Sequence, residues 1–121
     1  MDVIRLEGPC EIDEMRVSQL PVPQVKDGWM RVRVEAFGIN ESESHSRRGL
    51  SDPDFTYPRV LGIEGVGIVD EVAPGSAFQP GQQVAFMMGG LGREYDGSYA
   101  RYCLIPERIA IPFTSDLDWA T

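Results

Sequence analysis

Two stretches decide the fold of this chain: AFGINESESHSRRG at residues 36–49 and PRVLGIEGVG at residues 58–67. In the first stretch, the side-chain oxygen of Asn40 can accept a hydrogen bond from a free amide of a first helical turn. Glu43 stands three residues later, which is the spacing of a capping box. The pattern predicts that a short helix begins directly after Asn40.

The end of this helix is marked by a second group of signals. Arg47 and Arg48 suit the negative end of a helix dipole, and Gly49 suits a left-handed stop. Glu43 and Arg47 have the i,i+4 spacing of a surface ion pair. We therefore predict one short helix over about 41–48, with Glu43 and Arg47 paired on its outer face.

The rest of the chain is typical of short strands. Residues 29–36 alternate apolar and charged side chains, the period of a strand with one face in water. Further strand patterns, separated by Gly, Pro and Asp turn signals, occupy residues 3–6, 15–20, 61–72, 84–88 and 98–105. Short strands with a single short helix predict a mainly β fold, a partly open β-barrel with long loops. Residues 115–121 look like the start of another helix.

Composition narrows the classes of function. Nineteen acidic and eleven basic residues give the 121-residue chain a formal net charge of −8. This charge repels nucleic acid and anionic membrane surfaces, so neither is an expected partner. No run approaches the roughly 20 apolar residues that span a bilayer, and no signal-peptide pattern is visible, so we expect a cytoplasmic protein. Cys10 and Cys103 belong to no CxxC pair and are predicted to be free thiols.

The two stretches, in this order, resemble the N-terminal GroES-like domain of medium-chain dehydrogenase/reductases. In zinc-dependent members the motifs read Gly-Ile-Cys-x-x-Asp-x-His and Gly-His-Glu, and the cysteine and the second histidine hold zinc. Asn40 and Ile63 occupy those two positions here, and His45 is the only histidine. An amide and an alkyl side chain cannot replace a thiolate and an imidazole, so we predict no metal site and no zinc.

The asparagine instead resembles the zinc-independent quinone oxidoreductase branch. Its pattern Asn-x-x-Asp-x-x-x-Arg-x-Gly is met by Asn40, Glu43, Arg47 and Gly49, with Glu in place of Asp. The sequence of residues 97–102 also matches the family pattern Gly-x-Tyr-Ala-x-Tyr. The resemblance implies hydride transfer from NADPH to a small-molecule quinone or conjugated carbonyl. It also implies that the intact parent protein could be a homodimer.

No glycine-rich dinucleotide motif is visible between a strand and a helix. Gly62, Gly65 and Gly67 lie in a strand pattern, and the glycines of residues 89–92 read as a loop. We therefore expect residues 1–121 to form one GroES-like catalytic domain, with the Rossmann domain that binds most of the cofactor lying outside this chain. Such a domain is expected to be inactive alone.

The resemblance also implies roles for individual residues. Asn40 and His45 are the candidate catalytic residues: the Asn40 amide would donate to a substrate or nicotinamide oxygen, which makes it a cofactor-binding residue too, and His45 would donate a proton. Glu43, Tyr57 and Glu64 are the candidate substrate-binding residues.

Each of these residues also has a purely structural interpretation. Asn40 caps a helix, and His45 is a surface histidine beside Glu41. Glu64 would form an ion pair with Arg47 or Arg48 to offset its burial. Tyr57, like Tyr99, would pack in the core.

Three other functions stay open at this point. The chain could be an enoyl-thioester reductase domain, which differs from a quinone reductase in its acceptor. It could be a stand-alone GroES-like binding module, although residues 89–96 lack a long apolar loop. A zinc alcohol dehydrogenase is the third, and the missing ligands argue against it.

Overall fold

The computed structural model describes residues 1–50 and 55–121. Within them the chain forms eight strands and one α-helix. The strands are β1 (Asp2–Leu6), β2 (Val17–Gln19), β3 (Trp29–Ala36), β4 (Arg59–Val60), β5 (Glu64–Val72), β6 (Gln83–Met87), β7 (Tyr102–Pro106) and β8 (Ala110–Pro112). The helix, α1, spans Glu41–Arg47, and Arg48 caps it. Two single turns of 3₁₀-helix lie at Ile12–Glu14 and Glu107–Ile109.

The strands form two antiparallel sheets. The larger has five strands in the order β7-β3-β5-β6-β8, and the smaller has three in the order β2-β1-β4. A bridge between Val3 and Ala100 joins the two sheets, and the Ile4 amide donates to the Tyr99 carbonyl at 2.9 Å. In the described part of the chain these sheets do not close into a barrel. The prediction of a mainly β, partly open barrel is confirmed.

Strand β3 lies between β7 and β5 in the larger sheet, and its alternating pattern supplies one fully apolar face. Met30 and Val32 are completely buried, and Val34 is 8% exposed. Around them lie the other members of the main core, which are Val69, Val84, Phe86, Leu91, Cys103 and Ile105. The strand predicted over residues 29–36 has these bounds.

Strand β5 approaches β3 closely, and this approach positions the residues that follow Ala36. A side chain at Gly67 would collide with the Arg33 carbonyl and with Val32, so only glycine fits there. The register shifts between Val34 and Ala36, which marks a bulge. Because β3 ends beyond this bulge, the chain after Ala36 runs beside the first residue of β5.

A second, smaller core lies under the three-stranded sheet. It is built from Val3, Leu6, Phe55, Val60, Leu61 and Tyr99. Tyr57 is partly buried against this core, and its ring meets Phe55 edge-on with 5.1 Å between centroids. The interpretation of Tyr57 and Tyr99 as packing residues is therefore confirmed.

Two local predictions were wrong. Residues 115–121 form turns, in which the Leu117 amide donates to the Ser115 hydroxyl and the Thr121 amide to the Asp118 carbonyl. These side-chain and turn contacts use the amides that a helix would need. The strand predicted over residues 15–20 forms only at Val17–Gln19, and the 3₁₀ turn Ile12–Glu14 precedes it.

Both cysteines are free, as predicted. Cys103 is buried in the main core, and this burial raises the pKa of its thiol far above the usual range. No helix in residues 1–50 or 55–121 is long and apolar enough to cross a membrane.

Candidate active site

The site begins at the capping box of α1. The backbone N–H of Asn40 donates to Oε2 of Glu43 at 2.8 Å, and the Asn40 side chain accepts from the backbone N–H of Glu43. Asn40 itself has extended backbone angles, φ −122° and ψ 156°, as an N-cap requires. The predicted capping box is confirmed.

The Glu43 side chain turns inward. Glu43 is only 5% exposed, and its second oxygen, Oε1, accepts from the Ile63 amide at 3.4 Å. A carboxylate at this position is stabilised by the amides and dipole of its own helix terminus. One buried acid therefore joins the start of α1 to the loop before β5.

The predicted surface pair between Glu43 and Arg47 was wrong. Arg47 reaches the N-terminal segment instead, where its Nη1 donates to the Cys10 carbonyl at 2.9 Å. The Cys10 amide donates back to the Arg47 carbonyl at 2.8 Å. The Arg47 guanidinium thus donates to the neutral carbonyl of Cys10, whereas the sequence pattern predicted that it would pair with Glu43.

The side-chain amide of Asn40 is the most unusual polar group at the start of α1. Its Nδ2 is buried and has no hydrogen-bond partner among the described residues. A buried donor without an acceptor costs about 1–3 kcal/mol. The cap uses the oxygen of this side chain, so the nitrogen is left to donate to something else.

Ile63 and Glu64 follow one another and line two different spaces. Ile63 lines a cavity of about 200 Å³, the Ile63 cavity, whose apolar wall also includes Phe55, Met88 and Leu91. Its remaining lining comes from residues 89–90 and 93–94. Ile63 therefore contributes to the apolar wall of this cavity.

Glu64 lines an open groove of about 410 Å³, the Glu64 groove. Phe37, Gly38, Met87 and Trp119 are among its other walls. The Glu64 carboxylate lies so close to Gly38 that a side chain there would collide with it. The Ser98 hydroxyl donates to the Glu64 carbonyl at 2.6 Å and fixes this backbone.

The ion pair expected between Glu64 and Arg47 or Arg48 was wrong. In the part of the chain that the structure describes, Glu64 pairs with neither arginine. Its side chain is partly exposed in the groove. Water can therefore solvate a charge that the sequence context appeared to bury.

His45 lies on the outer face of α1, as expected for a surface histidine. Its side chain is 48% exposed, and its Nε2 is 3.7 Å from Oε1 of Glu41. It lines neither the Ile63 cavity nor the Glu64 groove. Its catalytic role is untested by this geometry and stays a prediction.

Tyr57 supports the helix from below. Its hydroxyl donates to the Ser46 carbonyl at 2.7 Å. Tyr99 is buried next to Phe37, with ring centroids 4.5 Å apart, and burial raises its pKa to about 12. These contacts show how the tyrosines hold the site, and the substrate-binding role of Tyr57 stays a prediction.

Sequence reasoning missed the exposed apolar side chains around the site. Phe37, Ile39, Met87 and Met88 are between 41% and 84% exposed. A signal was present for two of them, because Phe37 and Ile39 flank Gly38 inside the motif itself. Met87 and Met88 end a strand pattern and gave none. Phe37 and Met87 line the Glu64 groove, Met88 lines the Ile63 cavity, and Ile39 lines neither.

The residues present do not fit a catalytic zinc ion. Asn40 and Ile63 hold the positions of two ligands and offer no thiolate or imidazole. Among the described residues, no group of three His, Cys, Asp or Glu side chains is placed to hold a metal. Independence from zinc remains a prediction about the reaction.

Two antiparallel sheets with a single α-helix in the described residues are the architecture of a GroES-like domain. The sequence profile of the alcohol dehydrogenase GroES-like domain matches residues 26–115, and this chain belongs to that family. Its relatives are medium-chain dehydrogenase/reductases.

Two curated relatives and one solved structure illustrate the family. A zinc-type alcohol dehydrogenase-like protein of Schizosaccharomyces pombe is 33% identical over 87% of this chain and 31% of its own length. Prostaglandin reductase-3 of Bos taurus is 38% identical over 76% of this chain and 23% of its own. The crystal structure of an NAD-dependent alcohol dehydrogenase superposes with a TM-score of 0.88 at 28% identity, over 98% of this chain and 41% of that one. The chain thus spans about a third or less of the curated relatives.

Proposed function

We propose that this chain is the substrate-side domain of an NADPH-dependent, zinc-independent oxidoreductase that reduces a quinone or a conjugated carbonyl. The observation that carries the proposal is the side-chain nitrogen of Asn40, Nδ2, which is a buried donor with no partner among the described residues. Asn40 lines neither the Ile63 cavity nor the Glu64 groove, so its side chain must be uncovered before a carbonyl oxygen of an acceptor or of a nicotinamide can satisfy it. The residue thus keeps its candidate catalytic and cofactor-binding roles.

The chain's own residues would bind and orient the acceptor. Nicotinamide, when bound, supplies the hydride. Asn40 Nδ2 would stabilise charge that develops on the acceptor oxygen, because a fixed donor needs no reorganisation during the reaction. Phe37 and Met87 offer apolar surface for a flat ring in the Glu64 groove. The Ile63 cavity would take an apolar substituent.

The other candidate residues have supporting roles in this proposal. Glu43 holds the Asn40 backbone through its carboxylate, and Tyr57 holds α1 through the Ser46 carbonyl. Glu64 would meet the substrate at the groove. His45 would return a proton from the solvent side, which its exposure permits.

The decisive experiment separates donation by Asn40 from capping. In the enzyme that carries this domain, Asn40→Ser keeps a good cap and removes the amide, whereas Asn40→Ala removes both. Both variants should lose about 10²-fold in kcat/KM for a quinone, since Ala has no donor and the shorter Ser hydroxyl cannot place one at the position of Nδ2. Only Asn40→Ala should also lower Tm. Glu41→Gln, at an 86% exposed carboxylate, is the matched control. Full activity of Asn40→Ser would refute the proposed role.

The acceptor and cofactor are tested with the unmodified enzyme. Turnover is measured with benzoquinone, a conjugated enone and an enoyl thioester, each with NADPH and with NADH. Preference for the thioester would favour the enoyl reductase alternative. Its present support is the likeness to a trans-enoyl reductase of Aspergillus sclerotiorum, 34% identical over 71% of this chain and 24% of its own length. Loss of activity after chelation, together with stoichiometric bound zinc, would overturn the zinc-independent proposal.

A further inference from the structure

A second cleft lies away from the candidate active site. It encloses about 300 Å³ between the segment that follows β2 and the ends of β3 and β7. Leu20 and Pro23 form one side, and Trp29 and Tyr102 form the other. We call it the hairpin cleft. Among the described residues it shares no lining residue with the Ile63 cavity or the Glu64 groove.

Aromatic rings make up much of the cleft wall. Trp29 and Tyr95 meet edge to face, with centroids 4.9 Å apart and planes at 82°. The Tyr95 hydroxyl donates to the Gly89 carbonyl at 3.0 Å, which fixes the ring. Fixed aromatic faces and edges favour a flat, aromatic occupant, because ring pairs gain about 0.5–1.5 kcal/mol beyond the area they bury.

Two cations also line this cleft. Lys26, the only lysine of the chain, places its Nζ 4.4 Å from the Trp29 ring centroid. The Arg59 side chain is 15% exposed, and its Nε is buried without a partner among the described residues. A chain of net charge −8 thus brings two of its eleven basic side chains to one cleft.

The one carboxylate in the cleft wall only partly neutralises these cations. Asp96 Oδ1 is 3.4 Å from Arg59 Nη1 and also accepts the Val60 amide at 3.0 Å. Arg59 Nη2 donates to the Thr56 hydroxyl at 2.7 Å. Lys26 contacts an aromatic face, which leaves its ammonium able to meet an anion. The local charge therefore favours a negatively charged group.

We propose that the hairpin cleft binds a small planar aromatic carboxylate, with its ring against Trp29 and Tyr102 and its carboxylate facing Lys26 and Arg59. This site is independent of the proposed oxidoreductase activity. It would place an aromatic acid at the opposite end of β3 from the Glu64 groove.

The test uses the two tryptophans of the 121-residue chain, Trp29 in the cleft and Trp119 in the Glu64 groove. The indole N–H signals are followed by NMR during titration with benzoate, with neutral benzamide of the same shape, and with non-planar cyclohexanecarboxylate. Trp119→Phe assigns the two signals. Benzoate should shift the Trp29 signal saturably, with the other two probes binding about fivefold or more weakly.

Matched variants test the charges. Lys26→Met keeps the length of an exposed side chain and should weaken benzoate binding about fivefold. Arg48→Met removes one positive charge at the exposed end of α1, outside the cleft lining, and should leave binding unchanged. The proposal is overturned if benzamide binds as well as benzoate, if both variants behave alike, or if the Trp119 signal shifts together with that of Trp29.

Discussion

Strand β3 and the start of α1 lie close together in the sequence, yet they bury different kinds of group. The inward face of β3 holds only apolar side chains, Met30, Val32 and Val34. The start of α1 buries the Glu43 carboxylate and leaves the Asn40 nitrogen without a partner among the described residues. Burial on β3 contributes stability directly. The start of α1 instead buries polar groups, which contributes less stability. Proteins commonly accept such a loss of stability at functional sites.

The largest effect is expected in the sheet core. Phe86 is completely buried, whereas Met87, the next residue of β6, is 50% exposed. Phe86→Ala should lower the free energy of unfolding by about 3–5 kcal/mol, because it removes apolar area and leaves a cavity. Met87→Ala should lower it by less than about 1 kcal/mol. Denaturant unfolding of both variants measures the difference. Equal losses would show that the burial of Phe86 does not supply the expected stability.

The next effect is expected at the helix start. Glu43→Gln replaces an acceptor-only carboxylate, which receives amides of residues 40 and 63, with a group that has only one acceptor atom. One amide then loses its acceptor, and unfolding free energy should fall by about 1–3 kcal/mol. Glu41→Gln, on the exposed face, should change it by about 0.3 kcal/mol. If both changes cost the same, Glu43 is not the buried link between α1 and the loop before β5.

A third prediction concerns pH and returns to the sheet core. Burial raises the pKa of Cys103 above its unfolded value of about 8.5, so the unfolded chain releases this proton first. Above about pH 8.5 the folded state binds more protons, and stability falls with rising pH by up to about 1.4 kcal/mol per unit. Tyr95 and Tyr99, with pKa values raised to about 12 by burial, extend the fall above pH 10. Cys103→Ala should flatten the first part of the curve, and an unchanged slope would contradict this.

The smallest effect on stability is expected at His45. Its contact with Glu41 is exposed, so His45→Gln should change the unfolding free energy by less than about 0.5 kcal/mol. In the enzyme that carries this domain, the same change should lower kcat if His45 returns a proton. Unchanged turnover across the pH range would leave His45 as a surface residue only.

What the sequence predicted well was local. The bounds of β3 follow from alternation within eight residues, and the capping box follows from two residues three positions apart. Gly49 indeed adopts the left-handed conformation, with φ +77°. The family motif then placed these elements in one fold. Structural features that depend on residues close together in the sequence can thus be predicted without a structure.

What the sequence did not predict depends on distant neighbours. The inward turn of Glu43 needs the Ile63 amide, and the partner of Arg47 is the Cys10 carbonyl. Helix spacing alone made Glu43 and Arg47 look like a surface pair. The Glu64 groove also brings together Phe37 and Trp119, which are 82 positions apart in the sequence. No local pattern encodes these meetings.

The link between Glu43 and Ile63 has a consequence for the order of folding. The two residues are 20 positions apart, and β4 lies between them. The carboxylate can accept the Ile63 amide only after this intervening chain has docked, so the contact is expected to form after the folding barrier. Glu43→Gln should then speed unfolding and leave refolding nearly unchanged in stopped-flow measurements. The domain would commit to its sheets first and acquire its finished site last.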